Sequence, residues 1–135
     1  MINAIKIVHK AGYVYNDLKL DNILVSKKTG LTNDPNALEG AKIHLVDFGF
    51  ASKYYNSFKT AEGIKHSHVP QEDLDCFTGN MINASIDLLD FKTPSRRDDL
   101  ISLCYMLCSL FRGGSLPMIN DENLEKMLKE GKNET

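Results

Sequence analysis

The sequence predicts a mainly α-helical fold with short antiparallel β-hairpin strands beside a polar loop. Three observations predict it. TPSRRDDL leads into the apolar run LISLCYMLCSLF at residues 100–111, an amphipathic pattern occupies residues 2–11, and short β-branched or aromatic runs flank the polar stretch YNDLKLDN at residues 15–22.

The elements follow in chain order. Ile2, Ile5 and Val8 recur at intervals of three with Lys6, His9 and Lys10 on other faces, and Gly12 stands where the helix would end. Residues 13–15 and 23–25 read as strands, and KIHLVD at 42–47 reads as another. Between them, KKTGLTNDPNALEG concentrates turn residues, as expected of an extended hairpin connection. Residues 52–78 are polar and non-periodic and read as a long loop. Ser95 stands three residues before Asp98, a capping-box spacing, and carboxylates in the first turn complement the helix dipole. Apolar side chains on every face of 100–111 predict a helix buried all round, with Cys104 and Cys108 as small core residues. A last amphipathic helix over 121–130 aligns Leu124 with Met127 and Leu128.

Bulk properties exclude several classes. The 135 residues are 42% hydrophobic and 25% charged, so most of the chain is expected to fold, as one domain. A formal charge of −2, from 16 basic and 18 acidic residues, gives no polybasic footprint for nucleic acid or an anionic membrane. The longest apolar run is well short of the roughly 20 residues that span a bilayer, and the first ten residues lack a secretory pattern. Three cysteines without CxxC spacing make no disulfide framework. These features fit a soluble intracellular protein, cytoplasmic or nuclear. His66, His68 and Cys76 lack the ligand number and spacing of a metal site.

The chemistry concentrates in two places. Asp17, Lys19 and Asn22 precede one apolar run, and Asp47-Phe48-Gly49 ends the next strand. Taken singly, these are turn residues, a solvated cation and a strand end. Converging from two loop ends, they form an acidic site able to hold magnesium and orient a hydroxyl, which is what phosphoryl transfer needs.

YNDLKLDNILV followed by VDFG resembles the catalytic loop and metal-binding motif of eukaryotic protein kinases, whose patterns are H-R-D-x-K-x-x-N and D-F-G. FTGNMINASIDLL, PSRRDDLISLCYML and GGSLPM are similar to the casein kinase 1 group, with residues 27–40 as an apparent insertion. The resemblance implies a protein-kinase-like C-terminal lobe over 1–135, mainly α-helical with short antiparallel β-hairpin strands beside the catalytic loop, and therefore an incomplete fold. It runs from the end of the helix before the catalytic loop, through the activation segment, to the central helix and the helix after it. It implies ATP and Mg²⁺ as cofactors and a protein Ser/Thr hydroxyl as substrate. By position, Asp17 would accept or orient the hydroxyl proton, Lys19 would neutralise the transferred phosphoryl group, and Asn22 and Asp47 would hold magnesium. Leu24 and Val46 would lie near the adenine, and Asp99 would anchor the backbone of the catalytic loop. Its alternative reading is a carboxylate that merely complements the helix N-terminus.

The chain also departs from the pattern. Tyr15 and Asn16 replace the family's histidine and arginine, so a phosphate on residues 52–78 is not expected to act through that contact. Asn80 replaces a threonine that bonds the catalytic aspartate and lysine, Asn83 a tyrosine, and Asp87 an asparagine. No glycine-rich loop, strand lysine or paired helix glutamate precedes residue 17, so the N-terminal lobe is expected to be absent and the open face to need that lobe or a partner. Arg96, Arg97 and Lys65 are candidates for an anionic substrate, or simply a solvated basic face. Two readings remain at this level: a casein kinase 1-like serine/threonine kinase, and a non-catalytic pseudokinase-like binding module.

Overall fold

In a computed structural model, residues 1–26 and 40–114 are described. The predicted helix at 121–130 and most of the 27–40 insertion lie outside these residues. The described chain carries three α-helices, a 3₁₀ turn and three antiparallel strand pairs. In order they are α1 (Ile2–Lys10), β1 (Tyr13–Val14), the 3₁₀ turn (Leu20–Asn22), β2 (Ile23–Val25), β3 (Ile43–Leu45), β4 (Ser52–Lys53), β5 (Tyr55–Thr60), β6 (Gly63–His68), α2 (Ile86–Leu89) and α3 (Arg96–Phe111). β1 pairs with β4, β2 with β3, and β5 with β6. No helix among the described residues is long and apolar enough to cross a membrane.

The core forms where α1 and α3 meet the polar loop. Ile5 and Val8 from α1, Tyr15 and Leu18 from the loop, and Leu103 and Met106 from α3 make one buried cluster, with Ile23 and Leu45 packed against it. Ile2 starts the same helical stripe but is 66% exposed, while Met1 packs against the cluster in its place. His9 and Lys10 in the last turn of α1 complement the dipole. The Tyr54 hydroxyl donates to the His9 carbonyl (2.8 Å), and Gly12 follows at φ 92°.

Two expectations from the sequence are corrected here. Residues 52–78 are not one loop: β5 and β6 form a six-pair hairpin from Tyr55↔His68 to Thr60↔Gly63. Neither strand has a buried face, so no alternation of apolar and polar residues marked it, and its signal was the turn at Ala61-Glu62-Gly63, with Gly63 at φ 123°. Nor is α3 buried all round. Asp99, Ser102, Leu103 and Met106 form its covered seam, whereas Cys104 and Cys108 are exposed and Phe111 is 89% exposed. The described elements that meet α3 lie against that one seam, leaving its other apolar faces bare. The short helix α2 was also missed. Ser85 caps it by accepting the Leu88 N–H (3.2 Å), a Ser at an N-terminus that could have been read.

The predicted capping box at α3 is present, and its carboxylate is shared. Asp98 accepts from the N–H and the hydroxyl of Ser95 (both 2.7 Å) and from the hydroxyl of Ser85 (2.6 Å). One buried carboxylate thus ties the starts of α2 and α3 together.

Gly79 sits at φ 103° with its missing side chain aimed at the loop: a Cβ there would lie 2.0 Å from the Asn16 carbonyl oxygen. Gly63 also has positive φ but open space around it. Replacing Gly79 by Ala is therefore expected to cost about 2–4 kcal/mol, and Gly63→Ala about 1–2 kcal/mol from backbone strain alone. Chemical denaturation of the two variants checks the order; equal losses would mean that the loop does not press on residue 79.

Candidate active site

The polar loop is built around Asp99, a carboxylate 1% exposed in the first turn of α3. Its Oδ1 accepts the Asn16 N–H (2.9 Å), and its Oδ2 accepts the Tyr15 N–H (2.8 Å) and faces His9 Nε2 at 2.7 Å. A carboxylate only accepts, so His9 presents Nε2–H to it. The expected anchoring of the loop backbone by Asp99 is what the geometry contains. His9 was not singled out in the sequence, since a lone histidine on a helix carries no sign of a partner 90 residues away.

The anchored backbone turns sharply. Asn16 adopts φ 67°, a left-handed conformation that asparagine tolerates, and this turn carries Asp17 inward. Asp17 is 1% exposed, and its Oδ2 takes two contacts: Asn22 Nδ2 at 2.7 Å and Lys19 Nζ at 2.8 Å. Asn22 Nδ2 also donates to the Asp17 carbonyl (3.0 Å). The 3₁₀ turn brings Asn22 back under Asp17, which accounts for the spacing of five. The hydrogen bond to Asp17 raises the pKa of the Lys19 ammonium, and the charges of Asp47 and Asp21 add to the effect, so Lys19 is a cation throughout the neutral range.

Asp47 arrives from the end of β3 at φ 57°, exposed, with Oδ1 accepting the Gly49 N–H (3.1 Å). Tyr15 joins the two halves. Its hydroxyl donates to the Val46 carbonyl, and its ring meets Phe48 edge-on at 5.2 Å. Burial, with lesser contributions from the Asp17, Asp47 and Asp99 charges, pushes the Tyr15 phenol up to about 12 against a hydrogen bond from Asn22. Val46 is half-buried next to this bond, and Leu24 is 53% exposed on β2.

The structure thus gathers Asp17, Lys19 and Asn22 in direct contact and connects Asp47 and Val46 to them through Tyr15. For a magnesium ion the donor chemistry fits: Asp47 offers carboxylate oxygen and Asn22 an amide oxygen, both hard ligands. Asn80 does not bond Asp17 or Lys19. Its Oδ1 accepts the N–H groups of Ile82 (2.8 Å) and Asn83 (3.3 Å), while Asn83 Nδ2 holds the Leu18 carbonyl (2.9 Å). The three candidate anion-binding cations are not brought together. Arg97 is paired with Asp87 (2.5 Å), Lys65 with Glu62 (2.6 Å), and Arg96 stacks over the Tyr54 ring at 4.5 Å. His66 is bonded to Ser57 (2.8 Å) on the outside of the β5–β6 hairpin.

Two outcomes are expected of this network. Asp99→Asn keeps the shape but loses the charge that holds two backbone donors, and should cost about 2–4 kcal/mol in chemical denaturation, on the magnitude of hydrogen bonds to charged groups. Tyr15 sets an alkaline limit. Because its folded pKa lies above the ordinary 10, its contribution is complete below pH 10 and is lost as pH rises toward 12. That contribution is on the order of 2–3 kcal/mol. Stability measured across pH 9–12 should fall less steeply for Tyr15→Phe than for the native chain; parallel curves would contradict the burial of the phenol.

Comparison with known proteins agrees with this arrangement. Residues 1–131 match the family model described as a protein kinase domain. Among curated relatives, casein kinase I homolog 2 of Schizosaccharomyces pombe is 32% identical over 117 residues, 87% of this chain and 24% of the relative. The chain therefore spans about a quarter of the length of that relative. By the family match over nearly its whole length, this chain belongs to the protein kinase family.

Proposed function

We propose that this chain is the C-terminal-lobe portion of a casein kinase 1-like serine/threonine protein kinase, which transfers the γ-phosphate of ATP to a protein hydroxyl. The observation that carries the reading is the contact of buried Asp17 with buried Asn22 and with Lys19 at the rim, on a loop held by Asp99 from α3, with the Asp47 charge acting on Lys19. Such a set has little use in a simple turn. Burying a carboxylate is costly unless it is paired, and here the pairing leaves a cation and two oxygen ligands at the rim of one site.

The roles follow from the groups. Asp17 orients the acceptor hydroxyl and takes up its proton, because its carboxylate is the buried acceptor at the centre of the loop. Lys19 balances the charge of the moving phosphoryl group. Asn22 and Asp47 supply oxygen ligands to Mg²⁺, which when bound adds positive charge beside the phosphates. Leu24 and Val46 present apolar surface to the adenine. Leu24 is 53% exposed among the described residues, and the N-terminal lobe of the family would cover it. The substrate is a protein Ser or Thr, with Lys19 two positions after the aspartate as in serine/threonine kinases.

Asn80 favours a second reading, a non-catalytic binding module. It caps its own turn and leaves Asp17 and Lys19 without the bridge the family's threonine makes. One experiment separates the two. Magnesium-dependent phosphate transfer from ATP to a casein-type substrate is measured for the native gene product and for Asp17→Asn. A fall of about 10²- to 10⁴-fold is expected for loss of a general base. Absence of transfer by the native protein, with binding of a partner unaffected by Asp17→Asn, would establish the module instead.

A further inference from the structure

One side chain of the catalytic loop reaches across to the segment that follows Gly49. Asn16 is 4% exposed, and its carboxamide nitrogen donates twice, to the Phe50 carbonyl (2.8 Å) and to Ser52 Oγ (3.0 Å). The orientation of the amide is fixed by these two acceptors, since reversing it would set oxygen against the Phe50 carbonyl oxygen. Asn16 Oδ1 is buried without a hydrogen-bond partner among the described residues. The same residue donates its backbone N–H to Asp99, and its carbonyl abuts Gly79. It therefore touches α3, the start of the activation segment and the stretch before α2.

The segment has few other ties to this part of the chain. β4 is two residues long and pairs as Tyr13↔Lys53 and Val14↔Ser52. Beyond that short ladder, Tyr54 donates its N–H to the Gly12 carbonyl (3.3 Å) and its hydroxyl to the His9 carbonyl (2.8 Å), contacts to the end of α1 and not to the catalytic loop. A neutral amide supplies the hold, and the oxygen beside it, buried and without a partner among the described residues, adds no positive charge to this contact.

We propose that Asn16 is a positioning residue that fastens residues 50–54 to the catalytic loop through neutral hydrogen bonds, so that this segment is placed without any added phosphate. The proposal rests on the kinase reading for the importance of the segment, and its test needs neither nucleotide nor turnover, so the two fail separately.

The test is amide hydrogen exchange on the full chain, comparing Asn16→Gly, Ser52→Ala and the double variant. Glycine accepts the positive φ and so removes the carboxamide without straining the backbone. The expected result for Asn16→Gly is exchange at least about tenfold faster at Ser52 and Tyr54, whose N–H groups face β1, the size of one or two lost hydrogen bonds. Exchange in α3 at Leu103 and Met106 should stay unchanged. Ser52→Ala should give a smaller local acceleration, and the double variant no more than Asn16→Gly alone, because Asn16→Gly already removes the single contact that Ser52→Ala removes. If Asn16→Gly does not fold, local acceleration in Ser52→Ala alone supports the proposal. Unchanged exchange at Ser52 and Tyr54, additive effects in the double variant, or acceleration spread equally into α3 by Ser52→Ala would overturn it.

Discussion

The arrangement depends on one buried carboxylate. Asp99 leaves α3 in its first turn and gathers two consecutive backbone N–H groups and a histidine, residues that are 83, 84 and 90 positions away in the chain. Backbone donors this deeply buried must be satisfied, and an ionised acceptor makes the bonds strong. Once residues 15 and 16 are pinned, the left-handed turn at Asn16 sends Asp17 inward and leaves Lys19 at the rim. The helix supplies rigidity, and the loop carries the residues of the proposed site.

A second carboxylate repeats the device one residue earlier. Asp98 ties Ser95 to Ser85, so the start of α3 also fixes α2 and the stretch from Asn80 to Asn83. That stretch returns to the loop through Asn83 and the Leu18 carbonyl. The site is therefore held from two sides by adjacent residues of one helix turn, Asp98 and Asp99. Two further links, the Tyr15 hydroxyl to the Val46 carbonyl and the Val46 N–H to the Asn22 carbonyl (3.1 Å), join the loop to the strand that delivers Asp47.

Much of this was legible in the sequence, for definite reasons. The chemical residues stand in a dense linear pattern, and Asp17, Lys19 and Asn22 meet because a loop and a 3₁₀ turn are local structures. β2 and β3 were readable from β-branched runs, and the start of α3 from Ser95 and Asp98. What escaped was either non-local or unmarked by burial. The β5–β6 hairpin has no buried face and so left no period-two signal. His9 gave no hint of Asp99, because their meeting depends on how α1 docks on α3. The exposure of Cys104 and Cys108 could not be read from apolar composition, which says that a surface can be buried and not what lies against it. The departures from the family pattern were visible as letters, yet their consequences were not. Asn16 bonds Phe50 and Ser52, and Asn80 turns to its own neighbours.

The most direct measurement of the central claim is where a metal-nucleotide complex sits. With Mn²⁺ in place of magnesium and ATP added to the isotopically labelled chain, paramagnetic broadening should centre on residues 17–22 and 46–49, and Asp47→Asn should abolish it. Broadening absent at saturating nucleotide, or centred elsewhere and unchanged by Asp47→Asn, would contradict a phosphate-transfer site at this loop.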